Sequence, residues 1–194
     1  MPSSPLAVDL FGDATGVEIP PEGLRLSLGC GRHTPTDWFC IDAQQSPLAS
    51  RPVDLICDVK QVPLPDACAS ELMAIHIFEH LYRWECDDAL EEWRRLLRTG
   101  GLLIMEMPDL FKFCRNILEA KAGHKHSDQL GMWGLYGDPR DKDPLMIHRW
   151  GWTFSTIQPL LLEHGFTDCK ESQTQWHKVG QDVRDFRVTA RKRA

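Results

Sequence analysis

The residues with chemical potential fall into a few short groups. Gly29-Cys30-Gly31 follows an apolar–polar alternation, Leu24-Arg25-Leu26-Ser27-Leu28. A strand that runs into such a turn can bring bare backbone up to a ligand, because glycine tolerates positive φ and carries no Cβ. Arg32 to Asp37 can supply caps and a helical turn, which would aim backbone N–H groups at an anion. Two further apolar runs end on acids, Asp42 and Asp58. Three ligand-competent endings on successive strands point to a nucleotide-sized cradle. His76-x-x-Glu79-His80 has the letters of an inverted zinc-peptidase motif. His148, in His148-Arg149-Trp150-Gly151-Trp152, belongs to a segment that reads as a folded-back lid, and histidine titrates near neutrality.

The elements that must position these groups can be read from periodicity. Strands are expected at 24–28, 38–41, 53–57, 71–75 and 102–107. Asp87 to Arg98 reads as a helix, with Leu90, Trp93, Leu96 and Leu97 on one face and Thr99-Gly100-Gly101 as its stop. Phe111 to Ala120 and Ser155 to His164 read as further helices. Residues 123–152, rich in Gly, Pro, Trp and His, read as a long irregular segment. Phe166–Ser172 and Arg184–Arg191 read as the last two strands. Strands alternating with helices predict an α/β fold with a mostly parallel sheet, and ligands at the carboxyl ends of its strands.

Composition sets the bounds. The chain of 194 residues suits one domain, with 1–23 as an N-terminal lead-in and 24–194 as the body, including a lid or substrate insert at about 111–152. Apolar residues at 42% and charged residues at 26% describe an ordinary globular protein. No apolar run approaches the roughly 20 residues of a membrane span. The first residues lack a basic stretch followed by an apolar core, so no signal peptide is expected. The seven cysteines are scattered and odd in number, which predicts reduced, buried thiols in a cytoplasmic protein. A net charge of −6 argues against a general nucleic-acid binder.

Taken together, these pieces resemble a class I S-adenosylmethionine-dependent methyltransferase of the small type 11-like group. The resemblance rests on Leu26–Gly31, Ile41-Asp42, Val53–Val59, Pro63–Asp66, Ile75–Leu81, Trp93–Ile104 and Met107–Leu110, with Trp152–Phe154 through Gly165-Phe166. It implies a Rossmann-like sheet of seven strands in the order 3-2-1-4-5-7-6, with strand 7 antiparallel and helices on both faces. It also implies contacts to S-adenosylmethionine, released as S-adenosylhomocysteine. Gly29, Cys30 and Gly31 would approach the methionine part, Asp42 the ribose diol, and Asp58 and Val59 the adenine. His76 would lie near the methionine moiety. A carboxylate only accepts hydrogen bonds, so it suits a diol that offers two donors. Ser27 stands where many relatives carry an acid, and His33 or Thr34 replaces a third glycine.

The reaction expected is methyl transfer to a small-molecule or glycan hydroxyl, with His148 as first choice of base and Asp109 and His76 as the others. A homodimer is left open. The rival of a different class is a non-catalytic interaction module on the same fold. The zinc-peptidase reading requires His76 inside a helix, whereas Leu72–Ile75 reads as strand, so no metal is expected there. Cys114, His124 and His126 match no zinc spacing. Trp133, Trp150, Trp152 and Trp176 either stack on an acceptor or pack the insert onto the sheet, and packing is favoured for at least two of them.

Overall fold

The computed structural model describes residues 17–119, 125–176 and 184–194. The first part of the lead-in, residues 1–16, and His124 lie outside the described residues, as does the side chain of His126. The strands are β1 (Leu24–Leu28), β2 (Phe39–Asp42), β3 (Leu55–Ile56), β4 (Ala69–Ile75), β5 (Leu97–Pro108), β6 (Phe166–Ser172) and β7 (Asp185–Lys192). They form one seven-stranded sheet in the order β3-β2-β1-β4-β5-β7-β6. The first five strands are parallel, and β7 runs antiparallel to both β5 and β6. This is the predicted topology. It places the carboxyl ends of β1, β2, β3, β4 and β5 on one side of the sheet, with crossovers diverging in opposite directions from the β1–β4 pair.

The helices are α1 (Cys86–Leu96), α2 (Leu110–Glu119), α3 (Lys125–Tyr136) and α4 (Phe154–Glu163). In α1, Ala89, Leu90, Trp93 and Leu96 are fully buried, as a single apolar stripe requires. Trp93 also donates its Nε1–H to the Val59 carbonyl at 3.0 Å. The helix stops at Leu96 rather than running to Arg98. Leu97 is fully buried and already extended, pairing with Ala69, so β5 begins before the glycines. α4 starts on a reciprocal cap between Thr153 and Thr156.

Two departures from the sequence reading matter. The residues after Gly31 form turns, not a helix start. The Arg51 guanidinium donates to the carbonyls of Pro35 and Trp38, at 3.0 and 2.7 Å, and to Asp54, and this tertiary contact fixes the segment as a loop. The cradle therefore has no helix dipole behind it. Within the segment read as irregular, by contrast, α3 is a helix. Gly131 and Gly134 look like helix breakers in sequence, but they let α3 approach α2. An added Cβ at Gly134 would lie 2.2 Å from the Phe113 ring, and one at Gly131 would lie 2.4 Å from Ile117.

The segment spanning α2 and α3 leaves and returns at one point. Asp109 bridges Trp152, and the Leu110 N–H donates to the Trp152 carbonyl at 2.8 Å. All seven cysteines are free thiols. The α2–α3 contact gives a first test. Helix propensity alone favours Gly134→Ala by about 1 kcal/mol, whereas forcing a methyl into a filled site costs about 1–3 kcal/mol. We expect the clash to win, so that Gly134→Ala lowers the urea-unfolding free energy by up to about 2 kcal/mol. A gain in stability would mean that the two helices are not in contact.

Candidate functional site

A cleft of about 960 Å³ opens at the carboxyl ends of β1, β2, β3 and β4. Gly29 and Gly31 both hold positive φ, at 60° and 55°, as the tight turn demands. Their constraints differ. A Cβ on Gly29 would strike Ile77 at 2.5 Å, whereas one on Gly31 would meet nothing within 4 Å and would point into open space. The Gly31 N–H donates to Asp42 Oδ2 at 2.7 Å, and the Gln44 N–H donates to Asp42 Oδ1 at 3.2 Å. These bonds fix the carboxylate beside the turn and leave part of its roughly four lone-pair sites open to the cleft.

Cys30 belongs to the turn by its backbone. Its side chain turns away into a small cluster with Cys40, Val53 and Trp38. The hydrogen bond with Cys40, and burial, push the Cys30 thiol well above its ordinary range. Asp58 is exposed at the cleft edge and accepts the Lys60 N–H, while Val59 is buried and lines the wall.

The end of β4 carries the densest electrostatics. His76 sits at φ +52°, a left-handed backbone that costs a non-glycine residue about 1–2 kcal/mol. Its N–H donates to the Glu106 carbonyl at 2.8 Å, and its ring nitrogen Nδ1 lies 2.9 Å from Glu79 Oε1. Glu79 is only 2% exposed, on a single 3₁₀ turn, Phe78–His80. Phe78 anchors that turn between Trp93 and Trp152, with ring centroids 5.5 and 5.1 Å away. Burial alone would push the Glu79 carboxyl up, but the His76 hydrogen bond and charge outweigh it and bring the group down to about 2. Burial likewise pushes His76 down, and the Glu79 contact outweighs it to leave a raised value. His80 is lowered, chiefly by burial.

A second cavity of about 770 Å³ adjoins the cleft, and Arg32, His76, His80, Asp141 and Met146 line both. Trp133, His148, Arg140, Asp138 and Arg184 line the rest of this chamber with Pro108, Phe113 and Gly134. His148 Nδ1 lies 2.9 Å from the Gly134 carbonyl, and its ring meets His80 edge-on at 4.9 Å. The segment before Trp152 is stitched over the site. Arg149 and Trp150 donate their N–H groups to the Glu79 carbonyl, and Gln44 bonds Asp143 across the cleft mouth.

The expected site residues thus separate. Gly29, Cys30, Gly31, Asp42, Asp58, Val59 and His76 share the cleft wall. His148 faces the chamber. Asp109 lines neither cavity. Its Oδ1 accepts the N–H groups of Phe111 and Lys112 at 2.9 and 3.3 Å, which makes it the cap of α2 rather than a base. Of the tryptophans, Trp152 is core, Trp133 and Trp176 line cavities, and Trp150 is exposed. Arg32 and Met146 stand at the junction without any signal in the sequence, and His80, legible there only as part of His76-x-x-Glu79-His80, joins them. Nothing in the spacing of Arg32 and Met146 points to the site, because Met146 and His148 come to His80 only on folding.

A family model described as a methyltransferase domain matches residues 55–105, the stretch from β3 through most of β5. No curated protein matches. Solved structures share the fold at low identity. A SAM-dependent methyltransferase from Archaeoglobus fulgidus is 16% identical, with 88% of this chain and 87% of that chain covered and a TM-score of 0.57. A Thermotoga maritima methyltransferase, described as a possible histamine N-methyltransferase, is 16% identical with 90% and 84% covered and a TM-score of 0.58. The 1,6-didemethyltoxoflavin-N1-methyltransferase of Burkholderia thailandensis, solved with bound 1,6-didemethyltoxoflavin and S-adenosylhomocysteine, is 14% identical with 89% and 72% covered and a TM-score of 0.56.

The buried pair makes stability depend on pH in two opposite ways. The depressed Glu79 contributes stability that is present above pH 4.5 and is lost as pH falls toward about 2. The raised His76 contributes stability that is present below 6.5 and is lost as pH rises through its folded value. Urea unfolding should therefore show the wild type losing stability relative to Glu79→Gln on both sides of the window from 4.5 to 6.5. Equal pH slopes for the two proteins would show that the pair is not ionised in the fold.

Proposed function

We propose that this protein is a class I S-adenosylmethionine-dependent methyltransferase of the type 11 group, a reading supported by its fold and by the family match over residues 55–105, and that it methylates a small-molecule or glycan acceptor at oxygen. The observation that carries the reading is the junction of two cavities. One contains an acceptor-only carboxylate beside a side-chain-free turn, the other a polar chamber, and His76 and His80 form the wall between them. The cleft fits the cofactor on its own chemistry. Asp42 retains acceptor capacity for a ribose diol, the open space at Gly31 admits a ligand close to the backbone, and Val59 and Asp58 offer an apolar wall and a polar edge.

When bound, the cofactor supplies a methyl group already activated on a sulfonium. The protein's share is position and exclusion of water. Alignment of acceptor and donor is worth up to about 7–11 kcal/mol of barrier. Met146 and Arg149 close the cleft from the insert side. His148 stands at the acceptor: with Nδ1 held by the Gly134 carbonyl, its Nε2 lone pair is available to a hydroxyl in the chamber. Trp133, with Arg140 over its ring at 4.6 Å, gives the chamber a flat apolar face flanked by hydrogen-bonding groups, which suits a sugar-like ring. Among the described residues no helix is long and apolar enough to cross a membrane.

Calorimetric titration tests the reading. S-adenosylhomocysteine should bind the wild-type protein at one site, and Asp42→Ala should weaken binding about 10- to 100-fold, the loss of charge-assisted hydrogen bonds. No heat of binding, together with a partner chain that copurifies, would favour the interaction-module reading instead. His148→Ala should leave cofactor affinity unchanged and lower turnover on the true acceptor about 100-fold or more. Unaltered turnover would remove His148 from the reaction.

A further inference from the structure

Glu79, His80 and His148 each offer one ligand atom, and these atoms lie within 4.8 Å of one another. Two ligands across one zinc-sized ion stand about 4 Å apart, so a small turn of the half-buried His148 closes the set. The hydrogen bonds around the cluster point the same way. His80 Nδ1 lies 3.2 Å from the Ile147 carbonyl, and His148 Nδ1 lies 2.9 Å from the Gly134 carbonyl. A carbonyl only accepts, so each ring carries its proton on Nδ1 and keeps a lone pair on Nε2. That is the tautomer a metal-ligating histidine needs, oriented by the outer bond typical of one.

The carboxylate makes the same argument more strongly. Glu79 is 2% exposed, and one of its oxygens is held by His76. The other, Oε2, is buried without a hydrogen-bond partner among the described residues. A buried carboxylate with one oxygen unpartnered, set beside two imidazole nitrogens whose ring partners hold their protons on Nδ1, is a donor set that suits a cation.

We propose that Glu79, His80 and His148 bind one divalent first-row transition ion, with open coordination positions facing the chamber. Two imidazoles and one carboxylate suit Zn²⁺, Fe²⁺ or Mn²⁺, and they do not suit Mg²⁺ or Ca²⁺, which demand oxygen ligands. The motif His76-x-x-Glu79-His80 is then read differently from a zinc peptidase. His76 leaves the ligand set and holds Glu79 from behind, and the third ligand comes from the insert. His80 lines both cavities, so the open positions lie where an acceptor oxygen would sit. There the ion would hold a hydroxyl or water and make it more acidic. That role rests on the methyl-transfer reading, whereas the binding of the ion does not. In the loaded protein the His148 lone pair goes to the ion rather than to the acceptor's proton.

The test uses the full chain stripped by a chelator and titrated with Co²⁺, which reports its coordination by visible absorption. We expect one equivalent to bind with ligand-field bands, and Zn²⁺ to displace it. His148→Ala should weaken binding by more than about 100-fold, beyond the 10–100-fold of an outer-sphere loss. His148→Cys should bind one equivalent again and add a thiolate-to-cobalt charge-transfer band that the wild type and His148→Ala, which carry the same seven other cysteines, do not show. Less than a stoichiometric site in the wild type, or affinity unchanged in His148→Ala, overturns the proposal. Binding of S-adenosylhomocysteine is read separately by calorimetry, so the metal site and the methyl-transfer reading fail independently.

Discussion

Glu79 carries its charge at 2% exposure, and much of the site is arranged to keep it there. An isolated carboxylate would protonate rather than remain ionised out of water. His76 supplies the opposing charge at 2.9 Å, and it can reach Glu79 only because its own backbone is held left-handed at the end of β4. Phe78 pins the intervening turn into the core between two tryptophans. The cost of the strained His76 backbone and of the buried charge is thus offset by apolar packing next to it in the chain.

The same turn organises the insert. The Glu79 carbonyl accepts two N–H groups from Arg149 and Trp150, and the His80 carbonyl accepts the Arg149 guanidinium at 2.6 Å. The segment that covers the chamber is thereby fixed to the wall that separates chamber from cleft. A shift of that segment would be felt at His76 and His80, and therefore at both cavities. The floor of the cleft touches this network at Ile77, against which Gly29 packs, and at Gln44, which bonds both Asp42 and Asp143. It depends on the Gly29–Gly31 turn closing onto Asp42 through one short bond.

Sequence and structure agree most closely where the signal is local. The strands β1, β4 and β6, the apolar stripe of α1 and the seven-strand order followed from periodicity and from a family resemblance carried by contiguous motifs. They diverge where a distant contact overrides a local one. Arg51 takes the Pro35 and Trp38 carbonyls and holds a segment with helix-start residues as a loop. Gly131 and Gly134, poor helix formers, sit in α3 because α2 leaves no room for a Cβ there.

By itself the sequence determined the individual strands, the glycine turn and the two acids at strand ends, because each is written in residues a few positions apart, while the strand order came through the family resemblance. Only the tertiary structure decided which histidines meet. Asp109, an acid at a strand end like Asp42, is spent on capping α2. His148 reaches His80 across an intervening insert, and His76 faces Glu79 only through an unusual backbone angle. Contacts made by loop closure and by single-residue backbone geometry leave no periodic trace in a chain, so they become visible only once it has folded.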